Sequence, residues 1–205
     1  MKTRPILFSA PMVRALLDGK KTQTRRTVKP QPQNLPYGFS GTPSHDVFCG
    51  GARWKCPYGK PGDLLWVRET WAMNSRAIDL CKIFYRAHEK ASHTEMHELV
   101  RTELVGKQQP SWPRWKPSIF MPRWASRITL EIVNVRIEKL RAISEPDAIS
   151  EGFSSEDDFH DYWFEINPVS DFCVQGDAED DPWVWVIEFK VHRCNIDALL
   201  KERAA

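Results

Sequence analysis

An α+β fold built around a small mixed β-barrel is what the sequence predicts, and three features of the chain predict it. Segments with strand character outnumber those with helical spacing. The helices interrupt the strands instead of alternating with them, which argues against a doubly wound parallel sheet. The run 183–189, Trp-Val-Trp-Val-Ile-Glu-Phe, is almost continuously apolar, as a central or barrel-closing strand must be.

In chain order, the apolar run 5–8 opens as a strand. Ser9-Ala10-Pro11 then supplies a capping hydroxyl and an early proline, and Met12, Val13, Leu16 and Leu17 form one helical stripe. Gly19 suits a left-handed cap, so this helix is predicted to stop near Asp18. Thr22-Gln23-Thr24 favours extended chain, with Lys21, Gln23 and Arg25 on one face and Thr22, Thr24 and Arg26 on the other. Residues 29–60, with many prolines and glycines and little periodicity, read as an insertion.

A turn at Pro61-Gly62-Asp63 launches a strand over 64–71, and 82–86 is the next. Ser92-His93-Thr94-Glu95 matches a capping box, and Met96, Leu99, Val100 and Leu104 follow at helical spacing. They predict a short helix inside a second insertion, 88–115. Residues 126–138 alternate most clearly and predict the longest strand. Ser144-Glu145-Pro146-Asp147-Ala148-Ile149 reads as a short helix ended by Gly152. The acidic start Ser154-Ser155-Glu156-Asp157-Asp158 opens another helix that buries Phe159, Tyr162, Trp163 and Ile166.

The 205 residues fit a single domain over 1–195 with the two insertions, followed by a C-terminal tail, 196–205. Lys plus Arg total 29 against 27 Asp plus Glu, so any basic surface must be local. No apolar run approaches the roughly 18 residues of a membrane span, and Met1-Lys2-Thr3-Arg4-Pro5 lacks a signal-peptide stretch; a soluble cytoplasmic protein is expected. The cysteines, Cys49, Cys56, Cys81, Cys173 and Cys194, include no CxxC pair and read as free thiols. A metal site from Cys49, Cys56 and one of His45, His88, His93 or His97 has irregular spacing, so no metal and no cofactor is expected.

Chemistry concentrates in Gly19-Lys20-Lys21-Thr22-Gln23-Thr24-Arg25-Arg26. Four cations interleave there with groups that bind phosphate or act as nucleophiles. A second concentration joins tryptophan to proline and cation, in Trp112-Pro113-Arg114-Trp115-Lys116-Pro117 and Met121-Pro122-Arg123-Trp124. Its indoles either pack on a sheet or present a stacking platform for unpaired bases. Glu69, near the end of the buried strand, requires a cation. It either pairs structurally with Arg25 or Arg26 or serves as an acid in a cleft.

Taken in order, the first helix, Gly19-x-Lys21-x-x-x-x-Arg26, the Gly62-Asp63 turn into a strand, a late acidic helix and the closing Val186-Ile187-Glu188-Phe189 resemble the ASCH domain of the PUA-like superfamily. The segment Met121-Pro122-Arg123-Trp124-Ala125-Ser126-Arg127-Ile128 further resembles its phage- and prophage-encoded branch. The resemblance implies a PUA-like barrel with flanking helices and a cleft that binds RNA or a modified nucleoside or nucleotide. One enzymatic branch consists of amidohydrolases that remove the acetyl group from 4-acetylcytidine. In that branch the Lys and second Thr of a Lys-Thr-x-Thr element act with an acid on the helix before the last strand. Lys21 and Thr24 match that element, and the acid aligns with Asp158, beside Glu156 and Asp157. The nucleotide contacts expected are Lys20, Thr22, Arg25, Arg26, Trp115, Arg123 and Trp124.

Chemically, Thr24 needs a base, and neutral Lys21 is one only if its pKa falls from about 10.4 to about 7.5, roughly 4 kcal/mol of differential interaction. In a regular strand the two side chains also point to opposite faces with Cα atoms about 10 Å apart, so the proposal requires a bend after Gly19. Two other readings use the same residues: ribonuclease chemistry with Lys21 and Arg26 on the charged transition state, and non-catalytic nucleic-acid recognition or phage regulation. Oligomeric state is left open by the sequence.

Overall fold

The computed structural model describes residues 1–32, 42–43, 45–49, 51–75, 80–88, 99–101, 114–167 and 181–204. The fold is α+β, as expected, and divides into two compact units: Met1–Arg4, Asp18–Leu64 and Leu130–Val191, then Pro5–Leu17, Leu65–Thr129 and His192–Ala205. Among the described residues no helix is long and apolar enough to cross a membrane.

The principal sheet contains β1 (Thr3–Leu7), β2 (Gln23–Thr27), β3 (Thr42–Pro43), β6 (Leu64–Arg68), β10 (Thr129–Lys139) and β11 (Trp183–His192). Its order is β1-β6-β10-β11-β2, with β3 on β10. The described ladders leave β1 and β2 at the two ends of an open path, and a ladder closing a barrel is not among them. β11 lies inside the path, which explains its continuous apolar run: Val184 to Ile187 are buried whichever face they point to.

In the first unit β2 runs antiparallel to β11, with Thr24 opposite Ile187 and Arg25 opposite Val186. The turn before β6 forms as predicted. Gly62 sits at φ +86°, and the Asp63 carboxylate accepts the backbone N–H groups of Lys2 and Lys60 at 2.7 and 3.3 Å. Within the first predicted insertion, β4 (Asp46–Cys49) and β5 (Ala52–Lys55) form a hairpin.

Two helices cover one face of this sheet region, α2 (Glu145–Ser150) and α3 (Glu156–Ile166). Leu140, Ile143, Ala148, Phe159 and Trp163 pack with Val184 and Val186. Each large side chain of that set contributes about 1.5–3 kcal/mol by leaving water. The buried stripe of α3 is narrower than predicted. Phe159 and Trp163, four apart, are buried, while Tyr162 is half-buried and Ile166 exposed.

In the second unit, β7 (Trp71–Ser75), β8 (Leu80–Tyr85) and β9 (Leu99–Arg101) form an antiparallel sheet. Leu99 and Val100, predicted to be helical, pair here with Lys82 and Cys81. The edge of β8 overrides their local spacing, and the rest of that predicted helix lies outside the described residues. Trp71, Met73, Ile83, Tyr85, Met121 and Ala125 form the core, with α1 (Ala10–Leu17) burying Val13 and Leu16 in the same unit.

The predicted tail is a helix, α4 (Ile196–Ala204), with Ile196 and Leu199 buried. Asn195 starts it: its Oδ1 accepts the Asp197 N–H at 2.9 Å. Its Nδ2 donates to the carbonyls of Arg123, Trp124 and Ser126 at 3.0, 3.2 and 2.7 Å.

Candidate acid-base site on one face of the sheet

Strand alternation sorts the side chains of the basic motif. Gln23 and Arg25 project onto α2, and Lys21, two residues earlier, meets the same helix: Nζ lies 2.5 Å from Glu151 Oε2 and 2.7 Å from the Glu151 carbonyl. The Gln23 amide donates to the Asp147 carbonyl at 2.8 Å, and the Thr22 N–H to the Ser150 carbonyl at 2.8 Å. Three donors at and just before the start of β2 thus reach carbonyls at the C-terminal end of α2, where the Asp147 carbonyl also accepts the Glu151 N–H.

From Lys21 the charges alternate outward. Glu151 also faces Arg25 (Nη1 to Oε1, 3.2 Å), whose Nη2 reaches Glu138 at 2.5 Å and Asp147 at 2.8 Å. Arg136 takes Glu138 at 3.1 Å and Asp147 at 2.8 Å, and its Nη1 contacts Glu188. Lys21, Arg25 and Arg136 therefore share Glu138, Asp147, Glu151 and Glu188, a formal balance of −1.

Lys21 is 0% exposed. Burial pushes its ammonium below the ordinary 10.5, Glu151 pulls it back up, and Arg26 and Arg25 add to the lowering. Burial raises the Asp147 carboxyl, but Arg25 and Arg136 more than reverse this and hold it below 3.8. A depressed carboxyl contributes stability above its unfolded value that is lost as pH falls through its folded one. Asp147→Asn should therefore cost on the order of 1–2 kcal/mol at pH 7 and progressively less below about pH 3.8. Urea unfolding of both proteins at pH 7 and pH 3 checks this, and a gap that does not shrink with acid contradicts it.

Several expected site residues are elsewhere. Thr24 is buried, but it shares the face of Ile187, opposite to Gln23 and Arg25. The regular ladder through 23–27 supplies no bend to bring its hydroxyl to Lys21. Asp158 is exposed in the first turn of α3, where its N–H bonds the capping Ser155 hydroxyl. Glu156 and Asp157 share that turn, which the helix dipole favours for acids. The acid that meets Lys21 is Glu151. Arg25, expected to touch nucleotide, is buried among carboxylates, whereas Lys20 and Thr22 are exposed and Arg26 is half-buried opposite Trp185.

Glu69 belongs to the second unit and pairs with Arg127, not with Arg25 or Arg26. Nε and Nη2 hold its two oxygens at 2.8 and 2.9 Å. Trp124 packs edge-on against Trp71 with centroids 6.2 Å apart, and Arg123 binds Asp197 of α4 at 2.7 Å. Trp115 remains exposed. Among the described residues Cys49, Cys56, Cys81 and Cys194 are joined in no disulfide, and Cys173, His93 and His97 lie outside the described residues. Among the described residues no group of three or more His, Cys, Asp or Glu side chains is placed to hold a metal.

Compared with family profiles, with curated proteins and with solved structures, the chain matches none.

Proposed function

We propose that the protein hydrolyses the acyl amide of an acylated cytidine, with Lys21 and Glu151 as its proton-transfer pair. The observation that supports this is the buried contact of 2.5 Å between Lys21 Nζ and Glu151 Oε2. The reading takes with it the resemblance of the basic motif to ASCH amidohydrolases and the PUA-like barrel that the resemblance implies. It differs in the acid, now Glu151, and in the nucleophile.

Lys21 is 0% exposed as it stands, so substrate binding has to open the pair to one water; Lys21 as the free amine then takes a proton from that water as the oxygen attacks the acyl carbonyl. The proton passes to the Glu151 carboxylate and from there to the exocyclic nitrogen as its bond to the acyl carbon breaks. The products are cytidine and the free acid, and the pair returns to its starting state. Burial favours this use of lysine because it disfavours the ammonium.

Purified protein incubated with 4-acetylcytidine should release cytidine, followed by chromatography. The rate should rise with pH as Lys21 loses its proton, with its midpoint below 10.5. Lys21→Met should abolish release and still fold, since Glu151 keeps Arg25 at 3.2 Å. Thr24→Ala should retain turnover; its loss in a folded variant would transfer the nucleophile's role to Thr24. Absence of cytidine above the blank with wild-type protein removes the hydrolase reading.

A further inference from the structure

A strip of the second unit combines exposed aromatic faces with cations. Trp115 is 40% exposed, Ile119 57% and Phe120 68%. The Arg86 guanidinium lies 5.2 Å from the centroid of the Trp115 ring, and Lys116 Nζ is 4.9 Å from that of Trp71. Two local features hold the strip out. Lys116 and Trp71 exchange backbone hydrogen bonds at 2.7 and 3.2 Å, fixing the chain against β7. A tight turn then follows, in which the Phe120 and Met121 N–H groups reach the carbonyls of Pro117 and Ser118 at 3.0 Å. Met121 is buried and Ile119 and Phe120 are left outside.

Charge decides the occupant. From Leu104 to Leu130 the sequence has no acidic residue; of its cations Arg123 and Arg127 are paired with Asp197 and Glu69, while Arg114 and Lys116 flank Trp115 in the chain. Arg114 and Arg86 are exposed, and Arg86 lies against the indole. An apolar strip intended for another protein surface does not require that bias, whereas a polyanion with flat apolar groups does. We infer that this strip binds single-stranded nucleic acid, with an unpaired base stacked on Trp115, a neighbouring one on Phe120, and phosphates on Arg86, Arg114 and Lys116. The duplex is excluded because its bases are already stacked on each other. This inference rests on different residues from the Lys21–Glu151 proposal, and either survives failure of the other.

The test is fluorescence anisotropy of a fluorescein-labelled uridine dodecamer with the full chain, at several salt concentrations. Binding should weaken with salt. Trp115→Ala should weaken it about tenfold while Trp115→Phe retains most of the affinity. Arg114→Ala should reduce the slope of log K against log salt by about 0.7. Both positions are exposed, so thermal melts should match wild type, and Lys21→Met should bind as wild type does. No binding at low salt overturns the inference. So does binding that heparin or a duplex of equal length displaces equally well and that Trp115→Ala leaves unchanged, because then only cations act. A dimer in light scattering that Phe120→Asp disperses, without uridine binding, assigns the strip to a second copy of the chain and likewise overturns it.

Discussion

Replacing Glu151 with leucine is expected to destabilise the protein by about 3–5 kcal/mol at pH 7, a large share of the roughly 5–15 kcal/mol that typically holds a domain folded. Glu151 is the carboxylate that contacts the Lys21 ammonium at 2.5 Å, and it supplies one of three carboxylates around Arg25. Arg25 keeps Glu138 and Asp147, so the penalty falls mainly on Lys21, which no solvent reaches. Without its partner the lysine folds best as the free amine. Because its folded pKa lies below the unfolded value of 10.5, the unfolded state binds the extra proton between the two values and stability rises with pH across that window. The deficit of Glu151→Leu should therefore be smaller at pH 10 than at pH 7. Removing both charges in Lys21→Met/Glu151→Leu should recover most of the loss, since apolar side chains of similar volume replace a buried pair at little cost. Urea unfolding of the four proteins closes a double-mutant cycle, and additive losses would show that the pair is not coupled.

The facing of this site was legible from alternation alone: Lys21, Gln23 and Arg25 on one side and Thr22, Thr24 and Arg26 on the other is a consequence of the two-residue strand period. What met those side chains was not, because Glu151 lies 130 residues from Lys21 and no local rule links them. One signal was present. A glutamate immediately before Gly152, at the end of a short helix, is opposed by the helix dipole and therefore asks for a cation, whereas Asp158 at a helix start is accounted for locally. Helix α4 carried a similar signal, with Asn195 as a cap and Ile196 and Leu199 at helical spacing in a segment read as a tail. β9 shows the converse failure. Leu99 and Val100 fit a helical pattern, but a ladder to β8 decides their conformation, and pairing partners are not written in local sequence. The aromatic loop divided between its two readings: Trp124 packs, Trp115 stays out, and their burial depends on neighbours such as Trp71 and Arg86 far along the chain.

Arg127→Met should be comparably damaging at pH 7, about 3–5 kcal/mol, and much less so near pH 4. Glu69 is 2% exposed, and both its oxygens are taken by the Arg127 fork at 2.8 and 2.9 Å. The guanidinium in turn lies 4.0 Å from the centroid of the Tyr85 ring and contacts His88, while the Tyr85 hydroxyl donates to the Ala125 carbonyl at 3.0 Å. Burial already pushes the Glu69 carboxyl above 4.5 in the intact protein, with Arg127 opposing it. A carboxyl raised on folding contributes stability that is fully present below its unfolded value and is lost as pH rises through its folded one. Removing Arg127 removes the opposing pull, so that window widens upward and the variant's deficit should grow between pH 4 and pH 7. Adding Glu69→Gln to Arg127→Met should restore much of the loss at pH 7 by removing the stranded charge. Arg127→Lys should fall between, because an ammonium keeps the charge but neither the two parallel hydrogen bonds nor the flat contact with Tyr85. Chemical denaturation at pH 4, 5.5 and 7 distinguishes the causes. A deficit that is the same at every pH would assign the loss to packing against Tyr85, and a deficit that grows with pH assigns it to the carboxylate.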